Sequence, residues 1–160
     1  MAENPVVGWV VGSKNDLPIL DKGLAVMKEL QIPHEVLVAS AHRTPDLVDE
    51  LAKNAEKRGW KIVIAGAGMA NHLAGTFAGR VLLPVIGIPF VSGSLNGMDS
   101  LLSTVQMPPG VPVATVSLGE AGGVNAAVLA ARILALNDPA LKERLSQYVK
   151  KLGSAIRDSK

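Results

Sequence analysis

An imidazole and a guanidinium are adjacent in the stretch Ser40-Ala41-His42-Arg43-Thr44-Pro45. An imidazole exchanges protons near neutral pH, and a guanidinium binds a phosphate through paired hydrogen bonds. The Ser40 hydroxyl can donate to the same anion. These residue types favour acid–base chemistry on an anionic substrate. An exposed capping turn with an incidental histidine is the structural alternative.

This stretch lies between a predicted strand, Glu35 to Ala39, and a predicted helix that begins with Thr44 as cap and Pro45 at the first helical position. Open α/β sheets bind ligands at the carboxyl ends of their strands, beside helix N-termini that favour anions. We therefore expect His42 and Arg43 at that edge. His34, which enters the same strand, is expected at the opposite edge in a structural role.

Two further loops follow predicted strands. The first is Gly12-Ser13-Lys14-Asn15-Asp16, which offers backbone amides for a phosphate and a carboxylate for a ribose hydroxyl. The same residue types also form an ordinary helix cap. Residues 65–75, AGAGMANHLAG, let a flat ring approach the backbone, and tight helix–sheet packing would use the same small residues. Asn71 and His72 are predicted to line this cleft, and a helix-borne histidine packed against a neighbour is the alternative for His72. Ser92 to Gly97 is long enough to cover a ligand but also fits a plain surface connection.

Short aliphatic runs alternate with helical patterns along the chain, which is typical of a parallel sheet covered on both faces. We predict an α/β fold, a flavodoxin-like three-layer sandwich with a parallel, doubly wound sheet. The predicted strands are Val6 to Val11, Glu35 to Ala39, Ile62 to Ala65, Val85 to Ile88 and Val113 to Ser117. The predicted helices are Asp16 to Leu30, Pro45 to Arg58, Ala70 to Arg80, Asp99 to Gln106 and Val124 to Ala135.

An extra C-terminal helix over about residues 138–156 follows the predicted core of about residues 5–136, and residues 1–160 are predicted to form a single domain. The apolar positions of this C-terminal helix need a partner surface, and a neighbouring subunit is a candidate for it. These positions are Leu141, Leu145, Tyr148, Val149 and Leu152.

The composition narrows the function classes. The chain has no cysteine, which excludes disulfides and thiol nucleophiles and is compatible with a reducing cytoplasm. A net charge of +2 with interspersed charges is a weak argument for a nucleic-acid or membrane partner. We find no signal peptide, membrane span, dinucleotide or NTP motif, and no spacing typical of a metal site. A small-molecule ligand is therefore the favoured partner.

The three loops together resemble the N5-carboxyaminoimidazole ribonucleotide mutase family of de novo purine biosynthesis, often described as the catalytic subunit of phosphoribosylaminoimidazole carboxylase. The resemblance covers nearly the whole chain. Its motifs are Gly12-Ser13-Lys14 with Asp16, Ser40 to Asp46, Ala65-Gly66-Ala67-Gly68 with His72-Leu73, Pro84-Val85-Ile86-Gly87, Asp99-Ser100-Leu101 and Val105-Gln106-Met107-Pro108.

The resemblance implies a cofactor-free shift of a carboxylate from the exocyclic nitrogen of an aminoimidazole to ring carbon C4. In the family the substrate loses CO2 in a closed site, the aminoimidazole ribonucleotide attacks the trapped CO2, and a histidine, here His42, removes the C4 proton. Ser13, Asp16, Ser40 and Arg43 would hold the ribose phosphate. The base and CO2 pocket would use Gly66, Ala67, Gly68, His72 and Leu73, and Gly12, Asn15, Ala41 and Asn71 complete the predicted substrate-binding set.

The resemblance also implies a homo-octamer with sites at subunit interfaces, and a functional pairing with the ATP-dependent synthase that makes the substrate. Four positions differ from the mutase pattern. Asn15 replaces a serine, and Met69, Asn71 and Ala74 replace glycine, alanine and proline.

The family's second class carboxylates aminoimidazole ribonucleotide directly with CO2. It commonly has an asparagine in the third loop and a lysine after the catalytic histidine. This chain has Asn71 but keeps Arg43 and His72, which favours the mutase. A direct carboxylase, a carboxylase of another nucleotide and a non-catalytic nucleotide-binding protein remain open.

Overall fold

The computed structural model describes residues 4–157 and is built on a parallel sheet of five strands in the order β2-β1-β3-β4-β5. From β1 the chain adds one strand on one side and then three on the other, so a crevice opens between β1 and β3 at the carboxyl ends. The strands are β1 (Val7–Val11), β2 (His34–Val38), β3 (Ile62–Ala67), β4 (Val85–Pro89) and β5 (Ala114–Thr115). The predicted flavodoxin-like, doubly wound sheet is confirmed.

Helices cover both faces of the sheet and complete the predicted three-layer sandwich. A 3₁₀ helix over Lys14–Leu20 leads into α1 (Asp21–Glu29), and the chain continues through α2 (Pro45–Asn54), α3 (Leu73–Ala78), α4 (Met98–Val105), α5 (Gly119–Leu134) and α6 (Pro139–Arg157). One layer contains α1, α5 and α6, and the other contains α2, α3 and α4. Over residues 4–157, no helix has the length and apolar character needed to cross a bilayer.

The core consists of two apolar clusters that the sheet separates. Alternate residues of β1 point to opposite faces, so Trp9 packs with α1, α5 and α6, whereas Val10 packs with α2 and α3. All five residues of β1 are buried, as expected for a central strand covered by helices on both faces. Trp60 fills the second cluster directly over Gly8, where an added Cβ would collide with the indole.

The start of α5 differs from the prediction, because the helix begins at Gly119 rather than at Val124. Glycine in this segment serves close packing and does not break the helix. A Cβ at Gly23 of α1 would collide with the backbone of Gly123, so the two helices touch through their glycines. A pattern that treats glycine as a breaker misses such a contact.

Other boundaries also differ from the predictions. The first helix begins as a 3₁₀ turn that contains Pro18, and α2 ends at Asn54, four residues before the predicted end. Strand β5 has only two residues, as an edge strand that follows Pro112. Helix α3 begins at Leu73 because the preceding residues form an irregular loop, in which Met69 has a φ of 55°.

The C-terminal helix packs on its own chain through three of the five apolar positions that were predicted to need a partner surface. Leu141, Leu145 and Tyr148 are buried in the cluster that contains Trp9. Arg144 also donates from Nε to the carbonyl of Leu30, at 2.8 Å. Only the outward-facing Val149 and Leu152 of the predicted set remain exposed.

A charged cluster closes the amino edge of the sheet. Glu35 of β2 accepts hydrogen bonds from Arg58 Nε at 2.8 Å and from Trp60 Nε1 at 2.7 Å, and Arg58 Nη2 pairs with its second oxygen. The Arg58 guanidinium also lies 5.7 Å from the centre of the indole ring. The hydrogen bond from Arg58 is the main reason that the pKa of Glu35 falls below its usual value.

Candidate active site

Loops that follow β1, β2, β3 and β4 meet at the carboxyl edge of the sheet and enclose a cleft of about 570 Å³. This volume is in the range of small-molecule sites. The lining residues are Gly12, Ser13, Asn15, Asp16, Ser40, Ala41, His42, Arg43, Ala67, Gly68, Met69, Ala70, His72, Leu73 and Ser92. The structure thus brings the three predicted loops into one cleft.

The loop after β1 is both a helix cap and a wall of the cleft, so the two interpretations of its sequence are compatible. Ser13 caps the 3₁₀ helix, and its Oγ accepts from the backbone N–H of Asn15 at 3.2 Å. Asp16 lies deeper and is half-buried. Burial raises the pKa of its carboxyl, although a backbone hydrogen bond with Ser13 and the charge of Arg43 act in the opposite direction.

Arg43 ties the loop after β2 to the loop after β1. Its Nη2 donates to the carbonyl of Gly12 at 2.7 Å, and its backbone N–H donates to Ser40 Oγ at 3.2 Å. No carboxylate in residues 4–157 forms an ion pair with this guanidinium. The cleft therefore contains a positive charge that an anion can neutralise.

Thr44 occupies the N-cap position of α2 as predicted, with Pro45 as the first helical residue, but its side chain makes no capping hydrogen bond. Its Oγ1 instead accepts from the backbone N–H of Ser40 at 2.9 Å. This contact closes the loop on itself and fixes the backbone that carries His42. The expected side-chain cap is thus replaced by a contact that shapes the loop.

Two imidazoles form the centre of the cleft. Nε2 of His42 lies 2.8 Å from Nδ1 of His72, and the rings meet edge to face with their centroids 4.9 Å apart. One nitrogen must carry the shared proton while the other accepts it. Both side chains are exposed to the cleft. The pair can therefore take up or release a proton at the position where a ligand would lie.

The end of β3 and the start of the loop after it, Ala67 and Gly68, provide a stretch of the cleft wall with very small side chains. The backbone at Gly68 passes close to the loop after β4, and a Cβ at Gly68 would collide with Ser92 of that loop. Ser92 Oγ in turn accepts from the backbone N–H of Met69 at 3.0 Å. Ala67 and Gly68 therefore present backbone and a methyl group, and a planar or small apolar ligand can approach them closely.

Two predicted site residues, Gly66 and Asn71, do not line the cleft. Gly66 is buried under the ring of Phe90, where a Cβ would collide, and its carbonyl accepts from the N–H of Gly12 at 3.2 Å. The Asn71 side chain is fully buried and bonds to Ile88 and Thr104 in the interior. Both residues therefore shape the loops from behind.

Three lining residues were not among the predicted ones: Met69, Ala70 and Ser92. Ser92 begins the loop that the sequence analysis singled out as long enough to cover a ligand, although it was not named as a site residue, and it comes shortly after the carboxyl end of β4. His34 lies at the opposite edge, where Nδ1 is 2.7 Å from the carbonyl of Ile32. Within residues 4–157, no three His, Asp or Glu side chains are arranged to hold a metal ion.

Fold and cleft together define a doubly wound α/β protein whose carboxyl edge holds a guanidinium without an ion pair in residues 4–157 and two imidazoles in contact. The sequence model of the family described as AIR carboxylase matches residues 6–155. The chain belongs to this family.

Curated relatives of high identity span most of the chain. A protein from Pyrococcus horikoshii is 48% identical over 98% of this chain and 88% of its own length. One from Bacillus subtilis is 52% identical over 89% of this chain and 88% of its own. Both are named N5-carboxyaminoimidazole ribonucleotide mutase.

Solved structures of the same type superpose closely. The crystal structure of Treponema denticola PurE has a TM-score of 0.86 at 30% identity and covers 96% of this chain and 95% of its own. A variant of PurE2 from that organism has a TM-score of 0.88 at 29% identity, with coverages of 98% and 96%.

Proposed function

We propose that this protein is an N5-carboxyaminoimidazole ribonucleotide mutase, an isomerase of de novo purine biosynthesis. The observation that carries the proposal is the contact between His42 and His72 in a cleft that Arg43 also lines. No carboxylate in residues 4–157 forms an ion pair with Arg43. Such a cleft suits a substrate with a phosphate at one end and a proton-exchanging ring at the other. The family and the names of the relatives support the same reaction.

In this proposal the phosphate lies against Ser13, Ser40 and Arg43. The guanidinium supplies charge and paired donors, and the two hydroxyls supply further hydrogen bonds. Asn15 and the backbone of Gly12 and Ala41 complete this end of the cleft. The half-buried carboxylate of Asp16 is placed to accept from a ribose hydroxyl.

His42 moves the single proton that the reaction requires. Protonated His42 gives a proton to the exocyclic nitrogen as the N–C bond to the carboxylate breaks and CO2 leaves. Carbon C4 then forms a bond to CO2, and His42 takes the proton that C4 releases. The histidine returns to its starting state, and His72 holds the ring through the hydrogen bond at Nε2.

The trapped CO2 is proposed to lie against the loop after β3, beside Ala67, Gly68 and Leu73. CO2 is small and uncharged, so a wall of small and apolar groups suits it, and retention of CO2 requires that the bound substrate excludes water from this wall. Met69 and Ala70 extend the same wall.

The protein is further proposed to act as a homo-oligomer, an octamer by its resemblance. Five large apolar side chains on and before α4 are exposed: Val91, Leu95, Met98, Leu102 and Val105. Met98, Leu102 and Val105 are spaced to lie on one face of α4, and an exposed apolar helix face is typical of subunit contacts. Light scattering of the purified protein tests the assembly, and Leu102→Glu should reduce it. A monomeric wild type would contradict it.

We also propose that the protein works in the cytoplasm beside the ATP-dependent synthase that makes its substrate. A carbamate decomposes in water, so a short transit favours such pairing. A coupled assay tests this, since pairing predicts that added synthase gives more product than the same amount of free carbamate supplied alone. Equal yields would contradict it.

The decisive experiment compares turnover of N5-carboxyaminoimidazole ribonucleotide with turnover of aminoimidazole ribonucleotide plus bicarbonate. His42→Asn should reduce turnover by about 10²- to 10⁴-fold, because general acid–base catalysis contributes that much. His34→Asn is the matched control, since His34 lies at the far edge of the sheet.

The mutase predicts fast conversion of the first substrate and conversion of the second only at high bicarbonate. Efficient use of aminoimidazole ribonucleotide at low CO2 would instead assign a direct carboxylase. Equal turnover by wild type and His42→Asn would overturn the catalytic role of His42.

A further inference from the structure

Asn71 is a fully buried polar side chain directly beside the residue that contacts His42. Its Nδ2 donates to the carbonyl of Ile88 at 3.1 Å and to Thr104 Oγ1 at 2.9 Å. Its backbone N–H donates to Ser103 Oγ at 2.9 Å. One residue therefore joins the loop after β3 to both β4 and α4.

The partners of Asn71 are themselves held in place. Thr104 Oγ1 donates to the carbonyl of Ser100 at 2.6 Å, so it accepts the hydrogen bond from Asn71. The hydroxyl of Ser100 donates to the carbonyl of Phe90 at 2.7 Å. This chain of hydrogen bonds runs from the cleft loop into α4 and back to the end of β4, and its members have few alternative arrangements.

The amide of Asn71 is oriented by its neighbours. Ile88 presents a carbonyl and Thr104 an occupied hydroxyl, so both positions need donors, and only Nδ2 supplies two. Oδ1 has no hydrogen-bond partner among residues 4–157. A buried orphan acceptor is unfavourable, so the two donor contacts must outweigh it.

We infer that Asn71 is a positioning residue, which sets the contact between His72 Nδ1 and His42 Nε2 by fastening the loop after β3 to β4 and α4. The kinetic effect of this inference rests on the proposed function. The effect of Asn71 on the contact between the two histidines does not. Asn71 does not line the cleft, so it acts through His72 and not on the substrate.

The first test uses nitrogen NMR of the ligand-free protein. The chain has three histidines, so each ring gives an assignable signal. Asn71→Ala should move the ring signals of His42 and His72 and leave that of His34 in place. Asn125→Ala is the matched control, because Asn125 donates from Nδ2 to Ser117 outside the cleft.

The second test separates kcat from KM with N5-carboxyaminoimidazole ribonucleotide. A displaced acid–base pair should lower kcat on the order of tenfold with little change in KM. Thr104→Val should have a smaller effect of the same kind, since Asn71 keeps its contact with Ile88. Thr104→Ser, which retains the hydroxyl, should restore wild-type values.

The inference is overturned if the His42 and His72 signals in Asn71→Ala coincide with those of the wild type, or if only KM changes. If Asn71→Ala does not fold, the comparison of Thr104→Val with Thr104→Ser decides, and equal His72 signals in the two would reject it. The NMR result needs no substrate. Wild-type protein that shows no turnover would therefore reject the proposed function and leave this test intact.

Discussion

Each edge of the sheet holds an arginine, and the two guanidinium groups differ in whether a carboxylate pairs with them. At the amino edge, Arg58 is neutralised by both oxygens of Glu35 and lies over an indole ring. At the carboxyl edge, Arg43 is held by the neutral oxygens of Gly12 and Ser40. One charge is paired with a carboxylate, and the other has no ion pair among residues 4–157.

Two carboxyl groups repeat this contrast. The pKa of Glu35 is lowered, mainly by its hydrogen bond with Arg58, whereas the pKa of Asp16 is raised, mainly by burial. Folding therefore favours the charged form of the first and disfavours the charged form of the second. At neutral pH the charged Glu35 thus adds to the stability of the fold, whereas the charged Asp16 reduces it.

The largest expected effect separates the two arginines. Arg43→Met removes a charged partner of the phosphate and should lower kcat/KM roughly 30- to 150-fold, mainly through KM. This fold-change corresponds to a loss of about 2–3 kcal/mol of transition-state stabilisation. Arg58→Met should leave kcat/KM unchanged and lower the free energy of unfolding. Steady-state kinetics and urea denaturation of both variants measure this crossover. Similar losses of activity in the two would break the comparison.

The next largest effect concerns Gly8, which lies near the start of β1, and Gly12, which directly follows the strand. Gly8→Ala places a Cβ against Trp60 and should lower the free energy of unfolding by about 2 kcal/mol through overpacking. Gly12→Ala meets only Ala67 and Asp16 at ordinary or slightly short distances, so its effect on stability should be smaller. Thermal denaturation measures both. An equal loss at Gly12 would show that stability is not concentrated at the amino edge.

Glu35→Gln should lower the free energy of unfolding by about 1 kcal/mol at pH 7, since it removes the charge that Arg58 pairs with. A lowered folded pKa gives stability that is present above the unfolded value and lost as pH falls through the folded value. The difference between wild type and variant should therefore shrink below about pH 4.5. Denaturation at pH 7 and pH 3 measures this. A pH-independent difference would assign the effect to packing.

The smallest effect has the opposite sign. Asp16→Asn removes a carboxylate whose folded pKa is raised, and such a group stabilises the fold only at low pH, where it is protonated. The variant should be more stable than wild type at pH 7 by up to about 0.5 kcal/mol, while its KM rises. Thermal denaturation and steady-state kinetics at pH 7 measure the two effects. A less stable variant would show that this carboxylate contributes to the fold.

Much of the fold and cleft could be predicted from local sequence. Short aliphatic runs identified five strands, and the rule for strand ends placed His42 and Arg43 in the cleft. The boundaries were less accurate where tertiary contacts override local preference. The sequence pattern predicts that Gly123 ends a loop before the helix. In the structure it lies inside α5, where α1 packs closely against it.

The orientation of Asn71 could not be predicted for a related reason. A polar residue between two others of the cleft loop is expected to face the ligand, and nothing local shows that Ile88 and Thr104 offer acceptors behind it. The same applies to α6, whose apolar face finds its partner mainly in α5 of the same chain. Both outcomes depend on residues distant in sequence.

The division of the core into two clusters places one tryptophan on each side of the sheet. Trp9 is enclosed by aliphatic groups with its N–H unpartnered among residues 4–157, whereas Trp60 donates to a carboxylate beneath a guanidinium. The surroundings of the two indoles thus differ in polarity, and the two side chains should fluoresce at different wavelengths. With Trp9→Phe and Trp60→Phe, each layer reports its own melting by fluorescence. Coincident curves would show that the layers unfold as one cooperative unit.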